Sequence, residues 1–83
     1  MRQEVDHRLK IWPEYFEGVV LRMKTFEVRK NDRGFKRGDL VLLEEFSPER
    51  GYTGKEILVR ISFVLDDVPG IEKGYVVFAF EYA

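Results

Sequence analysis

Eighty-three residues allow one domain, 1–83, and a domain this short buries only about 60 to 65% of its unfolded surface. Its core must therefore be compact and aromatic, which seven Phe, four Tyr and one Trp permit. The absence of cysteine excludes a disulfide framework and a thiolate metal site, and no apolar run approaches the roughly 20 residues of a membrane-spanning helix.

The polar stretch from Met1 to Lys10 is unlike a secretory signal, so a soluble cytoplasmic protein is expected by elimination. The net charge of −1 hides an asymmetry. Residues 1–37 hold ten Lys or Arg against six acids, whereas residues 38–83 hold four against nine. The basic part is concentrated in Arg22, Lys24, Arg29, Lys30, Arg33, Lys36 and Arg37, with only Glu27 and Asp32 opposing it. Such a stripe suits phosphate, or it is a solvated loop balanced by acids brought near in the fold.

In chain order, residues 1–6 read as a mobile leader. His7 to Trp12 then alternates polar and apolar, with Leu9 and Ile11 on one face, as a first short strand does. Pro13 suits the first turn of a helix, and Glu14 and Glu17 complement the positive end of its dipole. The helix is expected from Pro13 to Leu21 or Arg22, with Tyr15, Phe16, Val19, Val20 and Met23 as one buried stripe. Gly18 costs that helix about 0.5 to 1 kcal/mol relative to alanine, which a close packing neighbour would explain.

Lys24-Thr25-Phe26-Glu27-Val28-Arg29-Lys30 alternates like a strand. Strand parity puts Phe26, Val28 and Lys30 on one face and Glu27 and Arg29 on the other. Lys24 has the parity of Phe26 and reaches the Glu27 and Arg29 side only by swinging its four-carbon stem around the strand's mouth. Asn31 to Gly34 forms a turn, and Phe35-Lys36-Arg37-Gly38-Asp39 a second one with Phe35 tucked inward. Leu40 to Phe46 and Glu56 to Leu65 read as two strands joined by a hairpin loop over Ser47 to Gly54. Asp66 to Gly74 is loop, and Tyr75 to Tyr82 closes the chain as a last strand. The expected fold class is mainly β (α+β): a small barrel of about five mostly antiparallel strands, with one helix between the first two.

Few chemistries fit these residues. Only His7 among the nitrogen ligands is available, so no metal and no cofactor are expected. No nucleophile elbow, phosphate loop or dinucleotide fingerprint is present. Catalysis would fall to Lys24, the hydroxyl of Thr25 and a loop carboxylate such as Asp66, Asp67 or Glu72. Trp12, Tyr15 and Phe35 could stack on bases or fill the core, core packing being favoured for Trp12 and more strongly for Phe35. Glu27 and Arg29 could offer acceptors and donors to a base edge or phosphate, or simply pair with each other on the surface for less than about 1 kcal/mol.

The pattern Lys24-x-x-Glu27-x-Arg29 after a helix, followed by Phe35-Lys36-x-Gly38-Asp39, resembles the ASCH domain, a PUA-like β-barrel family with the signature G-x-K-x-x-E-x-R. The opening His7-x-Leu9-Lys10-Ile11-Trp12-Pro13-Glu14-Tyr15-Phe16, the run Lys24 to Arg33, and Leu65-Asp66-Asp67 with Gly74-Tyr75-Val76-Val77 look more narrowly like a small bacterial and phage ASCH-like family of unassigned function. The resemblance implies a barrel with a cleft beside the helix, lined by the signature lysine, glutamate and arginine and binding RNA or a nucleotide. Arg22 stands where the signature has glycine, which adds a cation to the expected rim.

Some relatives in that superfamily are amidohydrolases acting on acetylated cytidine. They carry a catalytic threonine where this chain has Glu27, so the same reaction here would need Thr25 to take over. The expected function is an RNA- or nucleotide-binding module using Lys24, Glu27, Arg29, Lys30, Arg22, Trp12 and Tyr15. The alternatives are a small amidohydrolase on a modified nucleoside, with Lys24, Thr25 and Asp67, and a protein-interaction or regulatory domain.

Overall fold

The computed structural model describes residues 4–83. Six elements follow in order: strand β1 (His7–Ile11), helix α1 (Pro13–Val20), and strands β2 (Phe26–Lys30), β3 (Leu40–Ser47), β4 (Gly51–Asp66) and β5 (Tyr75–Tyr82). They form one mixed sheet in the order β1-β3-β4-β5-β2, in which β1 runs parallel to β3 and every other pair is antiparallel. This is the mostly antiparallel five-stranded fold expected from the sequence, with the helix between the first two strands.

The sheet curls into a half-barrel, bringing its two edge strands, β1 and β2, within reach of a side chain. No backbone ladder joins them among the described residues. Instead Arg29 Nη2 donates to the Lys10 carbonyl at 2.7 Å, and Arg33 Nη1 donates to the Arg8 carbonyl at 2.8 Å. The two carbonyls are two residues apart, so they point from the same edge of β1. Two arginines thus satisfy an edge that would otherwise offer itself to another strand.

The alternation read from the sequence explains the core. Leu9 and Ile11 of β1, Val41 and Leu43 of β3, Val59 and Ile61 of β4, and Val76, Phe78 and Phe80 of β5 all point inward and are buried. Phe16 and Val19 of α1 close the interior from one side. Phe35 lies under the sheet as expected, its ring 5.0 Å from that of Phe78. Register shifts between Glu44 and Phe46 and between Ile61 and Phe63 bend β3 and β4, as extra residues in a ladder do.

Several expectations need correction. The helix ends at Val20, and of its expected stripe only Phe16 and Val19 are buried; Tyr15, Val20 and Met23 are exposed. An eight-residue helix lying on a small half-barrel has room for little more than two inward side chains. The hairpin loop is shorter than expected, because β4 starts at Gly51 rather than after Gly54. Ser47 Oγ accepts the Arg50 amide at 3.2 Å, Gly51 takes φ of 72°, and Phe46 packs on Tyr52 across the strands. Part of the leader expected over 1–6 lies outside the described residues. Asp6 is fastened to β3, its amide donating to the Leu40 carbonyl at 2.9 Å and its carboxylate accepting the Leu40 amide at 2.8 Å.

His7 sits on the edge strand with its side chain largely buried. Its ring packs on Phe35, centroids 4.7 Å apart, and its Nε2 lies 2.8 Å from Asp39 Oδ2. The same Asp39 oxygen accepts the Lys36 amide at 3.0 Å, while Gly38 and Asp39 exchange backbone bonds with Ile61. The Phe35 to Asp39 turn is therefore a structural clasp between β1 and β4.

Candidate functional site

The site begins where α1 ends. Leu21 caps the helix, the Arg22 amide donates to the Val19 carbonyl and the Met23 amide to the Gly18 carbonyl. This is a Schellman ending, which places its first residue beyond the cap in the left-handed region that glycine favours. Arg22 occupies that position with φ of 62°. The turn that the signature glycine would permit is thus made without it. The Arg22 guanidinium lies 4.0 Å from the centre of the Tyr82 ring, and Tyr82 in turn donates its hydroxyl to the Val19 carbonyl at 2.6 Å. Arg22 is held on the Tyr82 side and does not line the cleft described below, contrary to its expected place on the rim.

The turn delivers Lys24. Its amide donates to the same Gly18 carbonyl, and a methyl group added at Gly18 would lie 3.3 Å from Lys24 Cβ. The packing neighbour that the sequence called for at Gly18 is this lysine. Because β2 begins only at Phe26, Lys24 is not bound by the strand's parity. Its Nζ donates to the Phe26 carbonyl at 2.7 Å and pairs with Glu27 Oε2.

Glu27 points to the inner face of β2, opposite Phe78 in the register, and is only 4% exposed. Arg29, two residues on and so on the same face, donates to Glu27 Oε1 through Nε at 2.9 Å and Nη2 at 2.6 Å. Lys24, Glu27 and Arg29 therefore converge on one buried carboxylate. Charge-assisted bonds from two cations are what make a carboxylate tolerable there. The bland alternative for Glu27 and Arg29, a mutual pair, is also true, but the pair is buried rather than on the surface.

Beside this cluster runs a cleft of about 440 Å³ along the seam between β1 and β2, lined by Lys10, Ile11, Trp12, Tyr15, Lys24, Phe26, Glu27, Val28 and Arg29. Trp12 and Tyr15 stand at its helix side 48% and 50% exposed, so the favoured core packing of Trp12 is not what the fold uses. Trp12 follows β1 as the N-cap residue of α1, with opposite parity to the inward Ile11, and so lies off the sheet's inner face. Lys24 Nζ is 5.7 Å from the Tyr15 ring centre and 5.1 Å from that of Phe26.

A guanidinium carries five N–H donors and an ammonium three. Arg29 commits those on Nε and Nη2, and Lys24 commits two. The Nη1 group of Arg29 and one Lys24 hydrogen have no partner among the described residues. Glu27 has both oxygens engaged and aims its neighbours rather than offering a free acceptor.

The other candidates lie elsewhere. Lys30 is exposed on the outer face with Phe26 and Val28 and does not line the cleft. Thr25 is exposed just before β2, its carbonyl accepting the Phe80 amide at 3.1 Å. Asp67 sits with φ of 52° in a different depression of about 220 Å³, formed with Asn31, Asp66, Lys73 and Tyr75. The set Lys24, Thr25 and Asp67 is not brought together. Among the described residues no group of three or more His, Asp or Glu side chains is placed to hold a metal ion, and no helix is long and apolar enough to cross a membrane.

Three participants escaped the sequence reading. Phe26 and Val28 line the cleft from the outer face, a consequence of the parity that turned Glu27 and Arg29 inward. The Lys10 carbonyl anchors Arg29, and only the closure of the half-barrel could reveal that.

Comparison with known proteins gives a match to the family described as "Domain of unknown function (DUF3850)" over residues 6–80. The chain is also 37% identical over 60 residues to an "Uncharacterized 12.9 kDa protein in GpA 3'region" of Escherichia phage P2, a match covering 72% of this chain. It spans only 54% of that relative's length. The family match takes in β1 to β4, β5 as far as Phe80, the helix and all three residues of the buried cluster, and the chain belongs to the DUF3850 family.

Proposed function

We propose that this domain binds RNA or a nucleotide in the cleft that runs along the seam between β1 and β2 beside α1. The observation that carries the reading is the pairing of unspent cationic donors on Lys24 and Arg29 with half-exposed Trp12 and Tyr15 around a cavity of about 440 Å³. Cavities of roughly 300 to 1,000 Å³ take small ligands of nucleotide size. Aromatic faces stack bases at about 1 to 3 kcal/mol each, and cationic N–H groups take phosphate or base oxygens. The likeness of Lys24-x-x-Glu27-x-Arg29 to the ASCH signature supports the same reading. In it, Lys24 and Arg29 contact the ligand, Glu27 orients both, and Trp12 and Tyr15 stack. Arg22 and Lys30 have no direct part.

The hydrolase alternative gains nothing from the geometry, since Asp67 lies in another depression and Thr25 stands outside the buried cluster. A turnover screen with acylated nucleosides is expected to give no product.

Trp12 is the chain's one tryptophan, so its fluorescence reports the cleft directly. Titration with short single-stranded RNA should quench it at low salt, with affinity falling as salt rises by a slope of about 0.7 per phosphate contact. Arg29→Ala should abolish the response, and Tyr15→Ser, which leaves the buried cluster intact, should weaken it at least about fivefold. No binding at low salt, or binding untouched by both variants, refutes the reading.

A further inference from the structure

The outer face of β2, β5 and β4 carries apolar residues in register. Phe26 stands opposite Ala79, and Ala79 opposite Phe63; Val28 stands opposite Val77, and Val77 opposite Leu65. Directly opposed residues in antiparallel strands share a face, so six apolar side chains form a grid two rows deep and three strands wide. Phe26, Val28, Phe63 and Leu65 are 45, 54, 60 and 41% exposed. Together they leave on the order of 400 Å² of apolar surface in one patch, which is large for a domain of this size.

We propose that this face is where a second copy of the chain docks, sheet on sheet, about a two-fold axis lying across the strands. The charges at the two ends of the grid favour a copy of itself over other partners. Lys30 stands on β2 beyond the Val28 row, and Glu81 stands on β5 beyond the Phe26 row, opposite Arg60 of β4 in the strand register. An axis across the strands reverses their direction, so Lys30 of one copy approaches Glu81 of the other on both sides of the axis. The same patch is thereby complementary to itself, as an isologous interface requires. A partner of a single charge sign, such as nucleic acid, finds both signs on this rim.

The area sets the strength. An apolar centre of about 400 Å² with its polar rim approaches the roughly 600 Å² per partner at the lower end of specific interfaces. The dimer is therefore weak, with a dissociation constant in the micromolar range. The proposal is independent of what the cleft binds, although Phe26 and Val28 border both surfaces and the second copy would stand beside the cleft's outer wall.

Sedimentation equilibrium from a few micromolar to several hundred micromolar tests it. The parent chain should move from its 9.9 kDa monomer mass toward twice that value. Phe63→Lys and, separately, Leu65→Glu should each weaken the dimer at least about tenfold while keeping the parent's far-UV circular dichroism. Lys30→Glu should weaken it, and adding Glu81→Lys should restore it. A monomer at every concentration overturns the proposal, as does a dimer unmoved by both apolar-face variants; a charge swap that fails to restore association overturns the axis.

Discussion

Glu27 is a carboxylate with almost no water of its own, held by Lys24 on one oxygen and by two donors of Arg29 on the other. Its partners keep part of their hydration, their side chains being 20% and 25% exposed, which is why they rather than the glutamate can serve a ligand. Removing the charge at the centre should hurt the fold more than a surface pair would. Glu27→Gln keeps the shape but leaves two cations facing a neutral amide, and it should destabilise the domain by about 2 kcal/mol, read as a lower urea midpoint with unchanged slope. An effect below about 0.5 kcal/mol would show that the cluster is a solvated surface pair after all. The sequence revealed which residues share a face, because parity follows from strand geometry alone. It could not reveal that Lys24 escapes parity by preceding the strand, since that depends on where the Schellman turn releases the chain.

At the scale of elements, the helix exit shows how one function survives a change of residue. Arg22 adopts the conformation glycine would take and offsets its strain by stacking on Tyr82. Left-handed backbone costs a non-glycine residue about 1 to 2 kcal/mol, and the cation–π contact returns about 0.5 to 1 kcal/mol. Arg22→Gly should therefore leave stability near that of the parent, whereas Arg22→Ala, which keeps the strain and loses the stack, should fall below Arg22→Gly by about 1 kcal/mol in thermal or urea unfolding. Equal stability of the two variants would contradict a strained helix exit. The sequence marked this position through the missing glycine but assigned the arginine to the cleft, because the C-terminal Tyr82 is brought beside it only by the tertiary fold. The hairpin between β3 and β4 was overextended for a related reason: Gly51 and Gly54 read as loop punctuation, yet Gly51 makes the turn tight and Gly54 continues inside the strand.

For the molecule as a whole, strand existence, order of type and the helix between the first two strands were legible from alternation and turn chemistry. The parallel pairing of β1 with β3 was not, because β1 is short and its neighbour is chosen by how the sheet curls. That curl creates the seam, and the seam creates the cleft. Arg33 fastens the seam away from Lys24 and Arg29, so it tests closure separately from the proposed binding. Arg33→Ala should cost less than about 1 kcal/mol overall yet speed amide hydrogen exchange in β1 relative to the central strands β3 and β4. Unchanged β1 exchange would mean that the edges hold without the arginine.

The central claim is that Lys24, Arg29, Trp12 and Tyr15 meet one ligand. It is tested most directly by following side-chain and backbone NMR resonances as a short single-stranded RNA is added at low salt. The Trp12 indole, the Arg29 guanidinium and the amides from Trp12 to Tyr15 and Lys24 to Arg29 should shift together and saturate with one dissociation constant. Shifts confined to Arg22, Lys36 and Arg37 with the Trp12 indole unmoved, or no shifts at all, would contradict it.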